Sequence, residues 1–306
     1  MKIVVTGGTG FIGGTLCRAL AARGDEVVVL TRYPREGPAG PLRQVGWQPG
    51  VPGSWAHELD GAEAVVNLAG EPIVGQRWTA ASKHRIIGSR LDATASIVDA
   101  LRRASRRPPV LINASAIGYY GPRGDEEITE RDGPGSDFLA ETCQRWEAAA
   151  QAAEPLGVRV MRLRIGMVLS VDGGALAKML PAFRLGLGGP LGGGRQWLSW
   201  IQRDDLVNLI LHLLQRPDAS GAVNATAQNP VTMRDFAAAL GQAVHRPAVF
   251  PVPGVALRLL LGEVADLLLT GQRVIPTAAV RLGYGFRYPT LPEALTACLG
   301  PRPGAG

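Results

Sequence analysis

The chain has 306 residues, of which 46% are hydrophobic and 19% charged, and its formal net charge is +6. This composition supplies ample apolar material for a buried core and excludes an intrinsically disordered protein. The 40 glycines and 23 prolines follow no three-residue period, which excludes collagen and favours a loop-rich enzyme. The basic residues are scattered, so the positive charge suits a phosphate-bearing ligand and does not predict nucleic-acid binding.

Cysteine and histidine spacing argues against a metal site. The three cysteines lie far apart and the four histidines are isolated from one another, so neither a zinc site nor a disulfide framework is expected. This pattern predicts a reducing compartment. The sequence opens directly on a strand, which predicts no signal peptide. The most apolar late stretch, 255–269, is interrupted by three charged residues, so no membrane span is expected. We therefore predict a cytoplasmic protein.

The first thirty residues predict a complete βαβ unit. Lys2–Thr6 is a short apolar run rich in β-branched residues, as in a strand buried on both faces, and Glu26–Thr31 is a second such run. A helical pattern between them ends at Arg23. The turn into this helix contains the spacing G-x-G-x-x-G in the strand-to-helix context that a dinucleotide fingerprint requires.

Each glycine of this turn has a predicted role. Gly8 permits the tight turn, Gly10 lets the backbone approach a pyrophosphate, and Gly13 lets the helix pack closely on the strand. The helix N-terminus then offers free N–H groups and the positive end of its dipole to phosphates. The residues predicted to bind the cofactor here are Gly7, Gly10, Phe11, Ile12 and Gly13.

The end of the second strand discriminates between cofactors. An acidic residue there would bind the ribose 2′-hydroxyl of NAD, whereas an arginine accommodates the 2′-phosphate of NADP. The positions are occupied by Thr31 and Arg32, with Arg35 close behind, so no carboxylate stands at the discriminating positions. The sequence therefore predicts NADP(H), bound by Thr31 and Arg32.

The next predicted strand, 64–68, ends in a run of small residues, Asn67-Leu68-Ala69-Gly70. Small residues at the carboxyl end of a parallel strand allow a flat ring to lie against the backbone at the topological switch point. We therefore predict that Leu68, Ala69 and Gly70 contact the cofactor.

Further along the chain, strands and helices continue to alternate. The predicted strands are 110–114, 158–163 and 221–226, and the predicted helices are 79–104, 137–154 and 204–215. This alternation predicts an α/β fold with a Rossmann-type, doubly wound parallel sheet. A glycine-rich stretch at 186–194 and a helical region after residue 229 predict a smaller, mostly helical C-terminal substrate lobe. The predicted domains are 1–169 with 197–228 for NADP binding, and 170–196 with 229–306 for the lobe.

These motifs carry a family resemblance. The turn at 6–13, the run Asn67-Leu68-Ala69-Gly70 and Ser115-x-x-x-Tyr119-Tyr120-Gly121 resemble the extended short-chain dehydrogenase/reductases (SDRs). Four later stretches are similar to the atypical, YfcH-like group of epimerase-family proteins: Gly70-Glu71-Pro72, 180–197, Trp200-Ile201-x-x-Asp204-Asp205 and 270–273. The resemblance covers essentially the whole chain. It implies a Rossmann domain that binds NADP(H) and a smaller substrate lobe.

The sequence departs from this family pattern at the acid–base pair. Typical members carry Tyr-x-x-x-Lys on the helix after the serine strand, with tyrosine as the general acid or base and lysine lowering its pKa. The corresponding helix reads Phe138-Leu139-Ala140-Glu141-Thr142-Cys143, so neither residue is present. The usual mechanism therefore does not transfer to this chain.

Other groups are candidates to replace the pair. Ser115, at the carboxyl end of its predicted strand, is placed to bond the substrate oxygen beside nicotinamide C4. Tyr120 is the best phenol available, and its ordinary pKa of about 10 calls for a cationic neighbour such as Arg90. Packing under the loop is the alternative for Tyr119 and Tyr120. By the same resemblance, Val168 contacts the nicotinamide amide through its backbone.

Two functions from different classes follow. The first is an NADP(H)-dependent oxidoreductase or epimerase that acts on a small carbonyl or sugar-nucleotide-like substrate. The alternative is an NADP(H)-binding sensor or scaffold that has lost catalysis, since Tyr-x-x-x-Lys is absent. The expected partner is a small-molecule substrate, and neither nucleic acid nor a membrane is expected to bind. A homodimer is possible.

Overall fold

Strands and helices alternate along the first two-thirds of the chain. The computed structural model describes residues 1–35 and 40–300, so the end of the predicted lobe at 301–306 lies outside the described residues. The strands are β1 (Lys2–Thr6), β2 (Glu26–Thr31), β3 (Leu42–Gly46), β4 (Ala64–Asn67), β5 (Val110–Ala116), β6 (Glu127–Ile128), β7 (Arg159–Ile165), β8 (Met167–Leu169), β9 (Trp197–Leu198), β10 (Trp200–Gln202), β11 (Gly221–Ala225), β12 (Val231–Thr232) and β13 (Arg273–Val274). The helices are α1 (Gly13–Ala22), α2 (Ala80–Arg103), α3 (Phe138–Gln151), α4 (Gly174–Arg184), α5 (Arg203–Gln215), α6 (Met233–Ala243), α7 (Gly254–Leu261), α8 (Val264–Leu269), α9 (Thr277–Arg281) and α10 (Leu291–Leu299).

Seven strands form one sheet in the order β11-β7-β5-β4-β1-β2-β3. β1 pairs in parallel with β2 and β4, and β4 pairs in parallel with β5. The valine-rich sequences of β1, β2 and β4 are buried almost throughout, as expected for strands covered on both faces. After β3 the chain returns to the other side of β1, which places the topological switch point between β1 and β4. The predicted Rossmann-type α/β fold is confirmed.

The sequence analysis did not predict several of the strands. β3 pairs in parallel with β2 at an edge of the sheet and is only partly buried, so its sequence lacks a continuous apolar run. The region after residue 229, predicted to be helical, also contains β12 and β13, each of two residues. Pairs this short have no detectable periodicity. The C-terminal region is otherwise helical, as predicted.

Local sequence explains where the long helix α2 begins and ends. Thr79 and Ser82 form a reciprocal capping box, in which the Ser82 N–H donates to Thr79 Oγ1 at 3.2 Å and the Thr79 N–H donates to Ser82 Oγ at 2.8 Å. Arg102 and Arg103 occupy the last turn, where cations interact favourably with the helix dipole. The predicted helix at 79–104 is confirmed to within one residue at each end. No helix in residues 1–35 or 40–300 is long and apolar enough to cross a membrane.

The chain folds into two compact units. The first comprises 1–119, 134–164 and 207–223, and the second comprises 120–133, 165–206 and the described residues from 224 onward. The first unit has a core between the sheet and α2, which includes Val4, Val65 and Leu111. The second has its own core, which includes Trp200 and Phe236. The predicted division into a cofactor domain and a substrate lobe stays a prediction.

Candidate functional site

The predicted cofactor residues follow neighbouring strands of the sheet. Arg32 follows β2, Gly7 follows β1, Leu68 follows β4, and Ser115 lies near the end of β5. Parallel pairing brings the carboxyl ends of these strands to one edge of the sheet. Ligands of doubly wound sheets bind outside this edge, at the switch point. The structure thus brings the sequence-predicted residues of the first unit to a single edge.

The tight turn after β1 depends on Gly7. Its φ of +68° lies in the left-handed region that favours glycine, and a Cβ there would lie 2.6 Å from the Leu68 carbonyl oxygen. Gly8, predicted to permit the tight turn, has no positive φ, so the left-handed residue of the turn is Gly7. A Cβ at Gly8 would lie 2.8 Å from Val29 Cγ1 and 2.9 Å from Cys17 Sγ. Gly8 therefore allows β2 and α1 to pack against the turn.

The other two glycines differ in how tightly they are enclosed. A Cβ at Gly13 would lie 2.2 Å from the Gly7 carbonyl oxygen, so the predicted close packing of helix on strand holds. A Cβ at Gly10 would meet only that same oxygen, at 3.2 Å, and Gly10 is exposed. Gly10 is thus not required by the packing of the protein itself. Its small size leaves open space in front of the first turn of α1.

Unpaired backbone donors face this space. The Gly10 N–H donates to the Gly7 carbonyl at 3.0 Å and the Gly14 N–H donates to the Gly10 carbonyl at 2.9 Å. The N–H groups of Ile12 and Gly13 have no protein acceptor within the described ranges, and no side chain caps the helix. Such donors at a helix N-terminus, combined with the positive end of the dipole, suit a phosphate group. The residues present therefore fit the pyrophosphate of a dinucleotide.

Arg32 is exposed at the end of β2. Its guanidinium carbon lies 5.9 Å from the Tyr33 ring centroid, and it forms no ion pair with any residue that the structure describes. Thr31 Oγ1 accepts a hydrogen bond from the Tyr33 N–H at 3.4 Å, and Arg35 donates its backbone N–H to Gln44 at 2.9 Å. An exposed guanidinium at this position fits an anionic 2′-phosphate better than a neutral hydroxyl.

Buried asparagines position the strand ends, and sequence reasoning missed them. Asn67 Oδ1 accepts the Thr6 hydroxyl at 2.6 Å, while Asn67 Nδ2 donates to Asn113 Oδ1 at 2.6 Å and to Thr94 Oγ1 at 3.0 Å. All four side chains are fully buried. This network ties the ends of β1, β4 and β5 to α2. Buried polar residues at the ends of otherwise apolar strands are the signal that could have identified it.

Arg90 lies on α2 beside the loop after β4. A Cβ at Gly70 would lie 3.1 Å from Arg90 Cζ, so glycine makes room for this side chain. The guanidinium is also 5.0 Å from the Trp146 ring centroid, and its Nη1 donates to the Ile86 carbonyl at 2.9 Å. Burial lowers the pKa of Arg90. Arg90 therefore supports the loop after β4, and its predicted role beside a phenol stays a prediction.

Ser115 is buried and bonded to a carboxylate. Its hydroxyl donates to Glu147 Oε1 at 2.7 Å. Glu147, on α3, also receives Arg164 Nε at 2.8 Å and Arg164 Nη2 at 2.9 Å, and Arg162 Nη1 lies 3.7 Å away. The Arg164 guanidinium carbon is in turn 3.4 Å from the Tyr119 ring centroid. Sequence reasoning found Ser115 but missed Glu147 and Arg164.

The remaining predicted groups lie in the second unit. Tyr120 is fully buried, and its hydroxyl donates to Asn224 Oδ1 at 2.7 Å. Val168 is the middle residue of β8 and pairs with Ile201 of β10. A cavity of about 310 Å³ in this unit is lined by 122–125, 195–197 and 269–271. The predicted roles of Tyr120 and Val168 stay predictions.

The helix α3, which lacks the usual acid–base pair, begins with an aromatic residue, Phe138. The Phe138 ring packs edge-on against Trp78, with centroids 5.1 Å apart, and the Lys83 ammonium lies 5.1 Å from the Phe138 centroid. Thr142, one turn along, donates a hydrogen bond from its hydroxyl to the Phe138 carbonyl at 2.7 Å.

No group of three acidic, histidine or cysteine side chains within 1–35 and 40–300 is arranged to hold a metal ion.

Comparison with known proteins identifies close similarities over the whole chain. A family model for the NAD dependent epimerase/dehydratase family matches residues 3–226, and a model for a domain of unknown function, DUF1731, matches residues 252–298. An Arabidopsis thaliana protein named "Epimerase family protein SDR39U1 homolog, chloroplastic" is 44% identical over 305 residues, covering 98% of this chain and 87% of that relative. The epimerase family protein YfhF of Bacillus subtilis is 36% identical and covers 99% of each chain. The human epimerase family protein SDR39U1 (isoform 2), solved with NADPH, superimposes with a TM-score of 0.86 at 33% identity, over 97% of this chain and 99% of that chain.

Proposed function

The chain belongs to the NAD dependent epimerase/dehydratase family, and we propose that it binds NADP(H) at the carboxyl edge of its parallel sheet. The observation that carries the proposal is the turn after β1. It combines an open space at Gly10 with the unpaired N–H groups of Ile12 and Gly13. The human relative solved with NADPH supports the same cofactor.

Named residues would hold each part of the cofactor. The first turn of α1 would bind the pyrophosphate through backbone N–H groups, and Thr31 and Arg32 would bind the 2′-phosphate. Leu68–Gly70 would lie against the nicotinamide half, with Arg90 supporting Gly70 from behind. When bound, NADP(H) supplies a hydride to a substrate carbon or accepts one from it. The chain's own residues must then bind the substrate and move its proton.

We propose an oxidoreductase or epimerase that acts on a small carbonyl or sugar-nucleotide-like substrate. The Ser115 hydroxyl donates its hydrogen bond to Glu147, so towards a substrate it would accept a hydrogen bond from a hydroxyl rather than donate one to a carbonyl. The Tyr120 hydroxyl likewise donates its hydrogen bond to Asn224. Exposed Arg195 at the cavity of the second unit, without an ion pair among the described residues, would favour an anionic substrate.

A second candidate function is an NADP(H)-binding sensor or scaffold without catalysis. Two observations favour it. The helix α3, which corresponds to the helix of the usual acid–base pair, contains neither a tyrosine nor a lysine. The hydroxyl protons of Ser115 and Tyr120 are both donated to protein acceptors. A sensor would bind the cofactor as tightly as an enzyme does but would not turn it over.

One experiment in two stages tests these proposals. NADPH and NADH are first titrated against the protein, with nicotinamide fluorescence as the readout, and tighter binding of NADPH is expected. The protein is then incubated with NADPH or NADP⁺ and panels of small carbonyl compounds and sugar nucleotides. Absorbance at the reduced-nicotinamide band reports net redox, and proton NMR of the sugars reports epimerisation.

The outcomes separate the candidates. Redox or epimerisation that is absent from a Gly10→Val variant supports the enzyme. Tight NADPH binding without turnover of any panel member favours the sensor. Failure to bind NADPH would remove both candidates.

A further inference from the structure

Two adjacent tyrosines in the helical turn Ile117–Tyr120 have opposite surroundings. Tyr120 is fully buried, and its hydroxyl is bonded to Asn224. Tyr119 is only partly buried, so part of its surface faces solvent. Of this pair, Tyr119 is therefore the side chain with surface to present to a ligand.

Arg164 covers one face of the Tyr119 ring. Its guanidinium carbon lies 3.4 Å from the ring centroid, which is van der Waals contact between two flat groups. The edge of the same guanidinium binds both oxygens of Glu147, through Nε at 2.8 Å and Nη2 at 2.9 Å. This two-point contact fixes the plane of the guanidinium, and the stacked ring follows that plane.

Glu147 is itself held on more than one side. Ser115 Oγ donates to its Oε1 at 2.7 Å, and Arg162 Nη1 lies 3.7 Å from its Oε2. The side chains of Glu147 and Arg164 are each 3% exposed. The carboxylate thus links the end of β5, through Ser115, to the end of β7, through Arg164, which are neighbouring strands of the sheet.

Stability alone does not account for this buried cluster. Desolvation makes a buried ion pair costly, and well-packed apolar side chains of similar volume are often as stabilising or more so. The cluster also holds two arginines against one carboxylate, which leaves an excess positive charge. An ion pair fixes the orientation of its side chains, whereas an apolar pair does not. The orientation defined here is that of the Tyr119 ring.

The position along the sheet edge indicates what Tyr119 faces. In the proposed function, the 2′-phosphate lies at β2 and the pyrophosphate at β1, so the cofactor runs along the edge towards β4 and β5. Tyr119 lies in the helical turn after β5 and contacts Arg164 of β7, two strands that lie beyond β4 in the sheet. We propose that Tyr119 faces the nicotinamide end of the bound cofactor, and that Arg164, clamped by Glu147, is the positioning residue that sets its orientation.

This inference rests on the proposed function, and chemical modification tests it without a known substrate. N-acetylimidazole acetylates accessible tyrosine hydroxyls, and peptide mass spectrometry distinguishes Tyr119 from Tyr120. We expect Tyr119 to react in the free protein and Tyr120 to stay unmodified. At about 100 times its Kd, NADPH leaves about one molecule in a hundred unliganded, so acetylation of Tyr119 should slow by roughly tenfold or more. Tyr288, partly buried in the second unit, is the internal reference.

Matched variants on β7 test the positioning role. Arg164→Lys keeps the charge but loses the planar two-point contact, whereas Arg159→Lys makes the same change at a β7 residue whose Nη1 donates to the Ala219 carbonyl. NADPH protection of Tyr119 should fall by roughly threefold or more in Arg164→Lys, as expected for residues in contact, and stay unchanged in Arg159→Lys. Glu147→Gln should behave like Arg164→Lys. Thermal unfolding and NADPH affinity are measured for each variant, so a loss of fold is recognised separately.

The outcomes divide cleanly. If NADPH binds but Tyr119 reacts at the same rate with and without it, the inference about Tyr119 is overturned and the cofactor proposal stands. If NADPH does not bind, the proposed function itself fails. Equal protection in Arg164→Lys and wild type, both folded, would remove the positioning role. Wild-type protection together with its loss in Arg164→Lys supports both parts.

Discussion

Replacement of Gly10 by valine should abolish NADPH binding and leave the fold intact. Gly10 is exposed and its φ is not positive, so valine can adopt the backbone conformation. Its Cβ would meet only the Gly7 carbonyl oxygen, at 3.2 Å, a contact that a shift of a few tenths of an ångström relieves. The rest of the side chain would occupy the space in front of the Ile12 and Gly13 N–H groups, where the pyrophosphate is expected.

The magnitude follows from two effects. Overpacking of a fitted site costs about 1–3 kcal/mol. A lost hydrogen bond to a charged group costs about 1.5–3 kcal/mol, and the displaced pyrophosphate would lose at least one. The sum is about 2.5–6 kcal/mol, and since every 1.4 kcal/mol is tenfold, the affinity for NADPH should fall by at least about 50-fold. The free energy of unfolding should change by less than about 1 kcal/mol at this exposed position.

Two neighbouring glycines supply the controls for this titration. A Cβ at Gly14 would lie 3.6 Å from the Gly8 carbonyl oxygen, an ordinary contact, so Gly14→Ala should bind NADPH like wild type. A Cβ at Gly13 would lie 2.2 Å from the Gly7 carbonyl oxygen, so Gly13→Ala should lower the melting temperature as well as the affinity. NADPH affinity is measured by nicotinamide fluorescence and stability by circular dichroism. A folded Gly10→Val protein with wild-type affinity would refute the reasoning.

Three further predictions concern single side chains. Arg32→Ala should weaken NADPH binding by about 1.5–3 kcal/mol, since it removes a hydrogen bond to a charged phosphate, and leave NADH binding nearly unchanged in parallel titrations; equal losses for both cofactors would contradict a 2′-phosphate contact. Tyr120→Phe leaves the buried Asn224 oxygen without its 2.7 Å donor, so urea unfolding should show a loss of about 1–3 kcal/mol while NADPH affinity is retained. The hydrogen bond from Arg43 holds the pKa of Glu58 below its ordinary value of 4.5, so the stability that this pair contributes is present above pH 4.5 and is lost as the pH falls through the lower folded-state pKa. Wild type should therefore lose more stability than Glu58→Gln on acidification below pH 4.5, and parallel unfolding curves would contradict this.

The parts of the fold that the sequence predicted are those determined by local pattern. β1, the glycine turn, α1 and β2 follow one another within 31 residues, and buried parallel strands require continuous apolar runs. β3 was missed because Leu42–Gly46 lies at the edge of the sheet, where half-exposed polar residues are tolerated. The fingerprint also could not say which of the adjacent glycines Gly7 and Gly8 makes the turn, since that depends on the distance to Leu68 on another strand.

The candidate site was predictable only in its cofactor half. Phosphate binding uses backbone groups of one continuous segment, so spacing alone points to it. The cluster around Glu147 joins residues from β5, α3 and β7 that are far apart in sequence. Its sequence signal is the presence of two arginines, Arg162 and Arg164, near the end of a largely buried strand. A single sequence shows that such a charge needs a partner but not which carboxylate supplies it.

The strand order has a consequence for how the protein is made. β1 lies inside the sheet, with β2 and β3 on one side and β4, β5, β7 and β11 on the other. During synthesis each new strand of the sheet can therefore pair with the exposed edge of a strand that has already been made. The sheet can thus grow outwards from its N-terminal strands. The edge of β7 stays uncovered while residues 166–220 are made, until β11 pairs with it. At ribosomal rates that interval lasts roughly 3–11 s, during which an unpaired strand edge is open to other nascent chains and is a natural target for chaperones.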